Sequence, residues 1–496
     1  MGPAFQTAPA AGAAIFMNLR SSALFFSILF AGTACFAAGG AAEPGGYNVV
    51  LILLETLRPD HLGCYGYKRA TSPNIDKLAA ESAVFENAFA QSSQSLISAA
   101  SVFTGLYPPS HGVTNVNSRL APDAATLAGE LKKRGYATAA YTGGFFLNRS
   151  FGLNSGFTLY DDSRDFGTLN DTVPGALKWL RGNAEKKFFL LVHSYDAHAP
   201  YRAPAEFLNK FAGEYDGPLK GLALDYYLAD RIHKDGLYED FKLKKKVAAL
   251  GPADIDHIVS QYDGALLYAD SKAGELLAGL ETLGLKEKTI VIFAASAGEA
   301  LMDHGTIISS FHGGLYDEGI RVPLLIRVPG VPASRVKAGA QLVDILPTVL
   351  DLLRTSVPEA AQGISLKPAL EKDGRPAPER LVYAQTLSLT TGEPFIGARK
   401  YPWKLLLTDG RRELYNLADD PKEQKDLAGE KPDVLKSLNA ELDRLVRAMP
   451  RRKAGNYQKP LAIVSERMKQ LGYWWMERPR VDHWDEQRRK KGGGGN

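Results

Sequence analysis

The chain has 496 residues, 45% hydrophobic and 23% charged, and its 59 Lys and Arg against 55 Asp and Glu leave a formal net charge of +4. That composition is ordinary and allows a large buried core. No block of Lys and Arg interleaved with aromatics stands inside the body, which argues against nucleic acid as a partner, and two cysteines cannot build a disulfide framework.

In chain order, residues 1–46 read as a leader. Met17 to Arg20 is a short basic start, Ser22 to Ala34 is an apolar run too short to span a membrane, and small residues from Ala37 to Ala42 offer cleavage sites. The expectation is a signal peptide starting at Met17, a mature chain beginning between Ala38 and Gly46, and export to the periplasm or the extracellular space. Cys35 sits where a lipoprotein cysteine would. Gly32 replaces the usual leucine three residues before it, so cleavage is expected over lipid anchoring. Cys64 is then the only mature cysteine.

The body opens with Asn48 to Leu54, a buried-strand run that delivers Glu55, Thr56 and Arg58 to the strand's end. A helix is predicted from Pro73 with Ser72 as N-cap, and a small-residue helix from Ser95, beside a run of serines. A carboxylate at a strand's C-terminal end facing a hydroxyl near a helix N-terminus is where an open α/β sheet binds anions. Further on, Thr126 to Arg134 is amphipathic, Ala137 to Gly144 is a strand ending in a turn, and Lys187 to His193 is a buried strand. Asp254 to Thr282 is a long helix, and Thr289 to Ala295 and Val322 to Val328 are strands. Alternating strands and helices predict an α/β fold with a mainly parallel sheet and helices on both faces. From Arg399 the pattern changes to a hairpin, followed by a charged amphipathic helix over Pro432 to Met449, a small C-terminal α+β subdomain. The expected division is 1–46, 47–395, 396–450 and 451–496. The last segment is a basic, aromatic tail in which Tyr473 to Met476 could dock a protein partner.

The residues from Asn48 to Tyr67 resemble the opening run of the sulfatase family, within the alkaline phosphatase superfamily. The family's nucleophile signature, C-x-P-S-R-A-S-L-L-T-G, falls on Ser95 to Gly105, and its "ELYDL…DP.E…NLA" ending on Glu413 to Ala428. The likeness runs from about Asn48 to Val446. It implies the sulfatase and alkaline-phosphatase-like fold, hydrolysis of sulfuric or phosphoric esters, and one Ca or Mg ion held by Asp residues of the opening strand and a late Asp-His or Asp-Asn pair.

The chain departs from that pattern at its chemical positions. Glu55 stands for the first Asp, whereas Thr56 suits the family's "DT" branch. The late motif runs from Phe293 to Gly305, and its frame puts Ser296 and Ala297 at the ligand pair. Sulfatases convert the signature Cys or Ser to formylglycine, guided by the Pro and Arg that follow. Here Ile97 and Ala99 take those places, so Ser95 is expected to remain an ordinary serine, most simply a helix N-cap. Asp303 and His304 are expected to form a loop bonding its own backbone, and Glu55 to pair with Arg58 or His312. The run His193, Asp196, His198 and Tyr201 matches the family's "H-x-Y-D-x-H-x-P-Y", and His312 takes the place of a sulfate-gripping Lys or His.

Two readings of function follow. In the first, the protein is a metal-free, inactive member that binds an anionic ester, a glycan or a lipid headgroup, with Ser95, His198 and His312 in the catalytic places and Glu55, Thr56, His193 and Asp196 lining the pocket. In the second, it is an active sulfuric or phosphoric ester hydrolase with a relocated Ca or Mg site or a metal-free mechanism. The first is preferred, because nucleophile context, anion-gripping Arg and ligand pair are altered together.

Overall fold

The computed structural model describes residues 46–116, 118–199, 201–217, 219–220, 251–304, 314–371, 379–387, 394–408 and 410–452. The expected leader with Cys35, His312, and the tail with its Tyr473 to Met476 stripe lie outside these residues.

Among the described residues, nine strands build the main sheet: β1 (Asn48–Leu54), β2 (Ala83–Phe89), β3 (Ala137–Tyr141), β4 (Leu159–Asp161), β5 (Phe188–Ser194), β6 (Thr289–Ala295), β7 (Arg321–Val322), β8 (Leu324–Arg327) and β9 (Ser334–Gln341). Their order is β4-β3-β5-β1-β6-β8-β2-β7, with β9 beside β2. From β4 to β6 every neighbour is parallel. β8 runs antiparallel to β6 and β2, and β9 parallel to β2. The sheet is therefore mixed and mostly parallel.

β1 is apolar at every position after Asn48 because it is buried throughout, between two parallel partners. A strand covered on both faces has no solvent side, so its sequence runs continuously apolar instead of alternating. The helices α1 (Pro73–Ala79), α2 (Ser95–Thr104), α3 (Leu127–Lys133), α4 (Leu169–Arg181), α5 (Pro252–Thr282) and α6 (Ile345–Leu352) pack about it. α1 and α4 lie along α5, while α2 packs with α6. Among the described residues, no helix is long and apolar enough to cross a membrane.

Two local expectations are corrected. Ser72 occupies the N-cap place of α1 but makes no cap bond. Its hydroxyl instead donates to Asp76 and accepts the Gly63 N–H. The strand expected over Val322 to Val328 is split at Pro323, which has no N–H for the ladder, into β7 and β8. Both run antiparallel to β2.

The hairpin expected after Arg399 is part of a second, antiparallel sheet of four strands: β10 (Val382–Leu387), β11 (Pro394–Lys400), β12 (Trp403–Thr408) and β13 (Arg411–Asn416). The expected boundary at 395 and 396 falls inside β11. The helix α7 (Pro432–Ala448) buries Leu438 and Leu442 in the same cluster as Leu405 and Leu414 of this sheet.

Candidate functional site

The register of the central strands brings three polar side chains to one spot. Leu54 stands opposite Ser194 on β5 and Ala295 on β6. The ladder continues one residue further, with Glu55 N–H donating to Ser194 O and Ser296 N–H to Leu54 O, both at 2.9 Å. In-register parallel neighbours share a face, as do residues two apart on one strand. Since His193 pairs with Leu53, the side chains of Glu55, His193 and Ser296 point the same way.

All three are fully buried. His193 Nε2 lies 2.8 Å from Glu55 Oε1, and the Ser296 hydroxyl donates to Glu55 Oε2. The Gly143 N–H donates to His193 Nδ1 at 3.2 Å, which makes Nδ1 the acceptor and leaves the ring proton on Nε2, facing the carboxylate. Residue 143 must be glycine for this approach. A Cβ there would lie 2.5 Å from Gly167 O and 2.7 Å from the Tyr195 ring.

Thr56 follows with φ of 50°. This left-handed backbone costs a β-branched residue about 1–2 kcal/mol. It is held by the Thr56 hydroxyl donating to Ala197 O (2.7 Å) and by the Tyr262 hydroxyl donating to Thr56 O (3.0 Å). The same phenol oxygen accepts the Arg58 N–H at 2.9 Å.

The expected pairing of Glu55 with Arg58 does not form. The Arg58 guanidinium forks onto Asp60 at 3.0 and 2.7 Å and reaches Asp303 at 2.7 Å, while His193 and Ser296 take Glu55. Burial works against the Arg58 charge, but Asp60 and Asp303 outweigh it and raise its pKa. Against the same opposing effect of burial, Arg58 holds Asp60 well below the usual carboxylate range.

The Asp303 and His304 side chains likewise reach beyond their own loop. Asp303 meets Arg58, and His304 pairs through Nδ1 with Glu318 (2.6 Å), meets Glu423 O through Nε2 (3.1 Å) and stacks on Tyr316 with ring centroids 3.7 Å apart.

After β5, Asp196 is fully buried and accepts the Leu169 N–H at the start of α4 (2.8 Å). Burial pushes its carboxyl up to about 6, against the Ser194 hydroxyl and the Leu169 N–H, which favour the charged form. His198 is buried and donates through Nδ1 to Ala199 O, with the rings of Phe166 and Tyr195 at 5.5 and 5.7 Å. Burial lowers its pKa.

Ser95 is the first residue of α2, not its cap. The cap place belongs to Gln94, whose side chain makes no cap bond. The hydroxyls of Ser93 and Ser98 are buried and have no hydrogen-bond partner among the described residues. Ser98 N–H is the first of the helix to bond back, to Gln94 O, so the N–H groups of the preceding turn have no partner within the helix, the arrangement that anions favour.

A hard divalent cation favours several oxygen ligands, carboxylates among them. Here one carboxylate, with both oxygens engaged, is accompanied by a serine hydroxyl and the methyl group of Ala297. The residues present do not fit such an ion. Among the described residues no group of three or more His, Cys, Asp or Glu converges as a cation cage.

Residues 47–355 match the sulfatase family, and residues 312–448 match the N-sulphoglucosamine sulphohydrolase C-terminal region. The chain belongs to the sulfatase family. This sulfatase-family chain is 29% identical to the iduronate 2-sulfatase of Mus musculus over 378 residues, 64% of this chain and 66% of that protein. The match thus spans just under two thirds of that relative's length. It is 24% identical to the N-acetylglucosamine-6-O-sulfatase of Bacteroides thetaiotaomicron over 467 residues, 77% of this chain and 82% of that protein. Its fold is shared with the phosphonate monoester hydrolase of Agrobacterium radiobacter, at 21% identity and a TM-score of 0.66 over 82% of this chain and 96% of that one.

Sequence reasoning missed Tyr262 and Gly143, which hold Thr56 and His193 in place. Tyr262 lies on the buried side of α5 with Ile258 and Leu266, where its aromatic ring reads as core. The Gly143 and Gly144 pair was legible as a turn, but nothing local ties it to a histidine fifty residues on.

Proposed function

We propose that this sulfatase-family protein is exported and recognises an anionic ester, glycan or lipid headgroup without hydrolysing it and without a divalent cation. The observation that carries the reading is the state of Glu55, the one carboxylate offered where the family holds its ion, which is already spent on His193 and Ser296. Without a Lewis acid, nothing meets the charge that develops on a leaving oxygen, and the Ser95 hydroxyl has no activator among the groups described. Anion recognition draws support from the first turn of α2, whose N–H groups precede the first intrahelical bond, and from the hydroxyls of Ser93 and Ser98, which have no partner among the described residues. The names of the relatives, an iduronate sulfatase and an N-acetylglucosamine sulfatase, make a sulfated glycan the first ligand to test.

Those relatives also favour a second reading, a sulfuric or phosphoric ester hydrolase with Ca or Mg bound elsewhere or with none. One experiment separates the two. Purified protein is assayed for bound metal, and wild type, Ser95→Ala and EDTA-treated protein are compared on sulfate, phosphate and phosphonate esters. Background turnover in all three, with saturable binding of a sulfated oligosaccharide, supports recognition. Turnover abolished by Ser95→Ala establishes the hydrolase.

A further inference from the structure

The donor set that does not fit a cation has a positive side. Glu55, His193 and Ser296 come from the C-terminal ends of three adjacent strands, β1, β5 and β6. A carboxylate buried where strand ends converge is costly unless donors meet both of its oxygens. In this chain three hydrogen bonds run in series: Gly143 N–H to His193 Nδ1, His193 Nε2–H to Glu55 Oε1, and Ser296 Oγ–H to Glu55 Oε2. Every donor and acceptor in that series faces another member, and none has exposed surface to trade for water. An uncompensated buried carboxylate would be costly, so the two donors are what allows Glu55 to stay there.

We propose that Ser296, Glu55 and His193 form a clasp that replaces a cation structurally, closing the ends of β1, β5 and β6 so that the fold and the shape of the pocket are independent of divalent ions. The inference rests on the metal-free reading above and adds what stands in the ion's place. It also takes His193 away from any ligand, since both ring nitrogens are committed to the clasp.

The length of the side chain at 55 matters here. Serine at 296 is short, and the extra methylene of Glu over Asp lets the carboxylate reach it. A second acid at 296 would instead put two carboxylates in contact and demand a counter-charge.

The test is thermal unfolding of the full chain in EDTA and in millimolar Ca²⁺ or Mg²⁺. Wild type should melt at the same temperature in all three. Ser296→Ala and Glu55→Gln should each lower the midpoint by about 2–4 °C, equally with and without the ions. Ser296→Asp should melt lower in EDTA and recover when Ca²⁺ or Mg²⁺ is added, acquiring the ion dependence that wild type lacks. A wild-type midpoint raised by the ions and lowered by EDTA would overturn the clasp and the metal-free reading together. Ion independence with Ser296→Ala and Glu55→Gln both unchanged would overturn the clasp alone. Turnover abolished by Ser95→Ala in protein that stays ion-independent and sensitive at 55 and 296 would overturn only the recognition reading.

Discussion

The Lys404 ammonium lies 2.7 Å from Asp317 Oδ1, and its side chain has no exposed surface. It comes from β12 of the small sheet, and Asp317 from the helical turn Asp317–Ile320 that leads into β7. Glu423 joins them, 2.7 Å from the same ammonium, and its second oxygen accepts the Asp317 N–H at 2.6 Å. Burial alone would strip the charge from Lys404, but Asp317 and Glu423 hold its pKa up. Together with Arg399 of β11, 3.4 Å from Asp317 Oδ2, Lys404 thus fastens the small sheet to the main one. Lys404→Met should cost about 3–5 kcal/mol, because it leaves Glu423 buried without its counter-charge and Asp317 with only the Arg399 guanidinium, 3.4 Å away. Chemical denaturation measures this, and adding Asp317→Asn to the variant should recover part of the loss.

Arg58 makes a second long-range tie, to Asp303, and none to Glu55. A double-mutant cycle reads that choice directly. Arg58→Ala with Asp303→Asn should show a coupling of about 1 kcal/mol or more, since both partners of one charged hydrogen bond are removed. Arg58→Ala with Glu55→Gln should be additive within about 0.5 kcal/mol. Coupling in the second cycle and not in the first would restore the pairing that the sequence suggests.

Two buried groups bend the pH dependence of stability in opposite directions. Asp196 has its carboxyl raised to about 6 by burial, so the folded state holds a proton that the unfolded chain has released. Its stabilisation is full below about pH 4 and lost as the pH rises through 6, a span of roughly 3 kcal/mol. His111 is the reverse. Burial lowers it to about 3, with Nδ1 accepting the Val113 N–H and Nε2 3.0 Å from Ser101 Oγ. Its contribution is present above about 6.5 and lost as the pH falls towards 3, by roughly 5 kcal/mol at most. Denaturation midpoints across pH 4–8 should show Asp196→Asn gaining on wild type above pH 6, and His111→Gln flattening the acid limb below it.

Rebuilding the cation site needs several changes at once. Ser296→Asp and Ala297→His restore the ligand pair that the family resemblance implies, and Ser95→Thr supplies a hydroxyl of the phosphatase-like type. The combined variant should retain Ca or Mg through desalting and show aryl-ester turnover that EDTA removes, while no single change gives turnover. Ala297→His or Ser95→Thr alone leaves one carboxylate, which cannot offset the dehydration of a hard cation, and Ser296→Asp alone supplies a second carboxylate but neither the rest of the ligand pair nor the nucleophile.

What the sequence determined by itself was whatever depends on local pattern. The continuous apolar run of β1, the exact extent of β6 from Thr289 to Ala295, and α5 to within two residues all follow from burial on both faces or helical periodicity. Through the family resemblance, the frame around Gly298 and Asp303 likewise put Ser296 and Ala297 at the late ligand pair. The tertiary structure decided the partners. Glu55 meets a histidine 138 residues away and a serine 241 residues away, and Arg58 an aspartate 245 residues away. Those contacts are set by which strands lie side by side and in what register, and a chain read locally carries no record of its neighbours in the sheet. The same holds for β10: its few apolar residues become a strand only because β11 pairs with it, and Lys404 becomes a core residue only because Asp317 and Glu423 arrive from elsewhere to neutralise it.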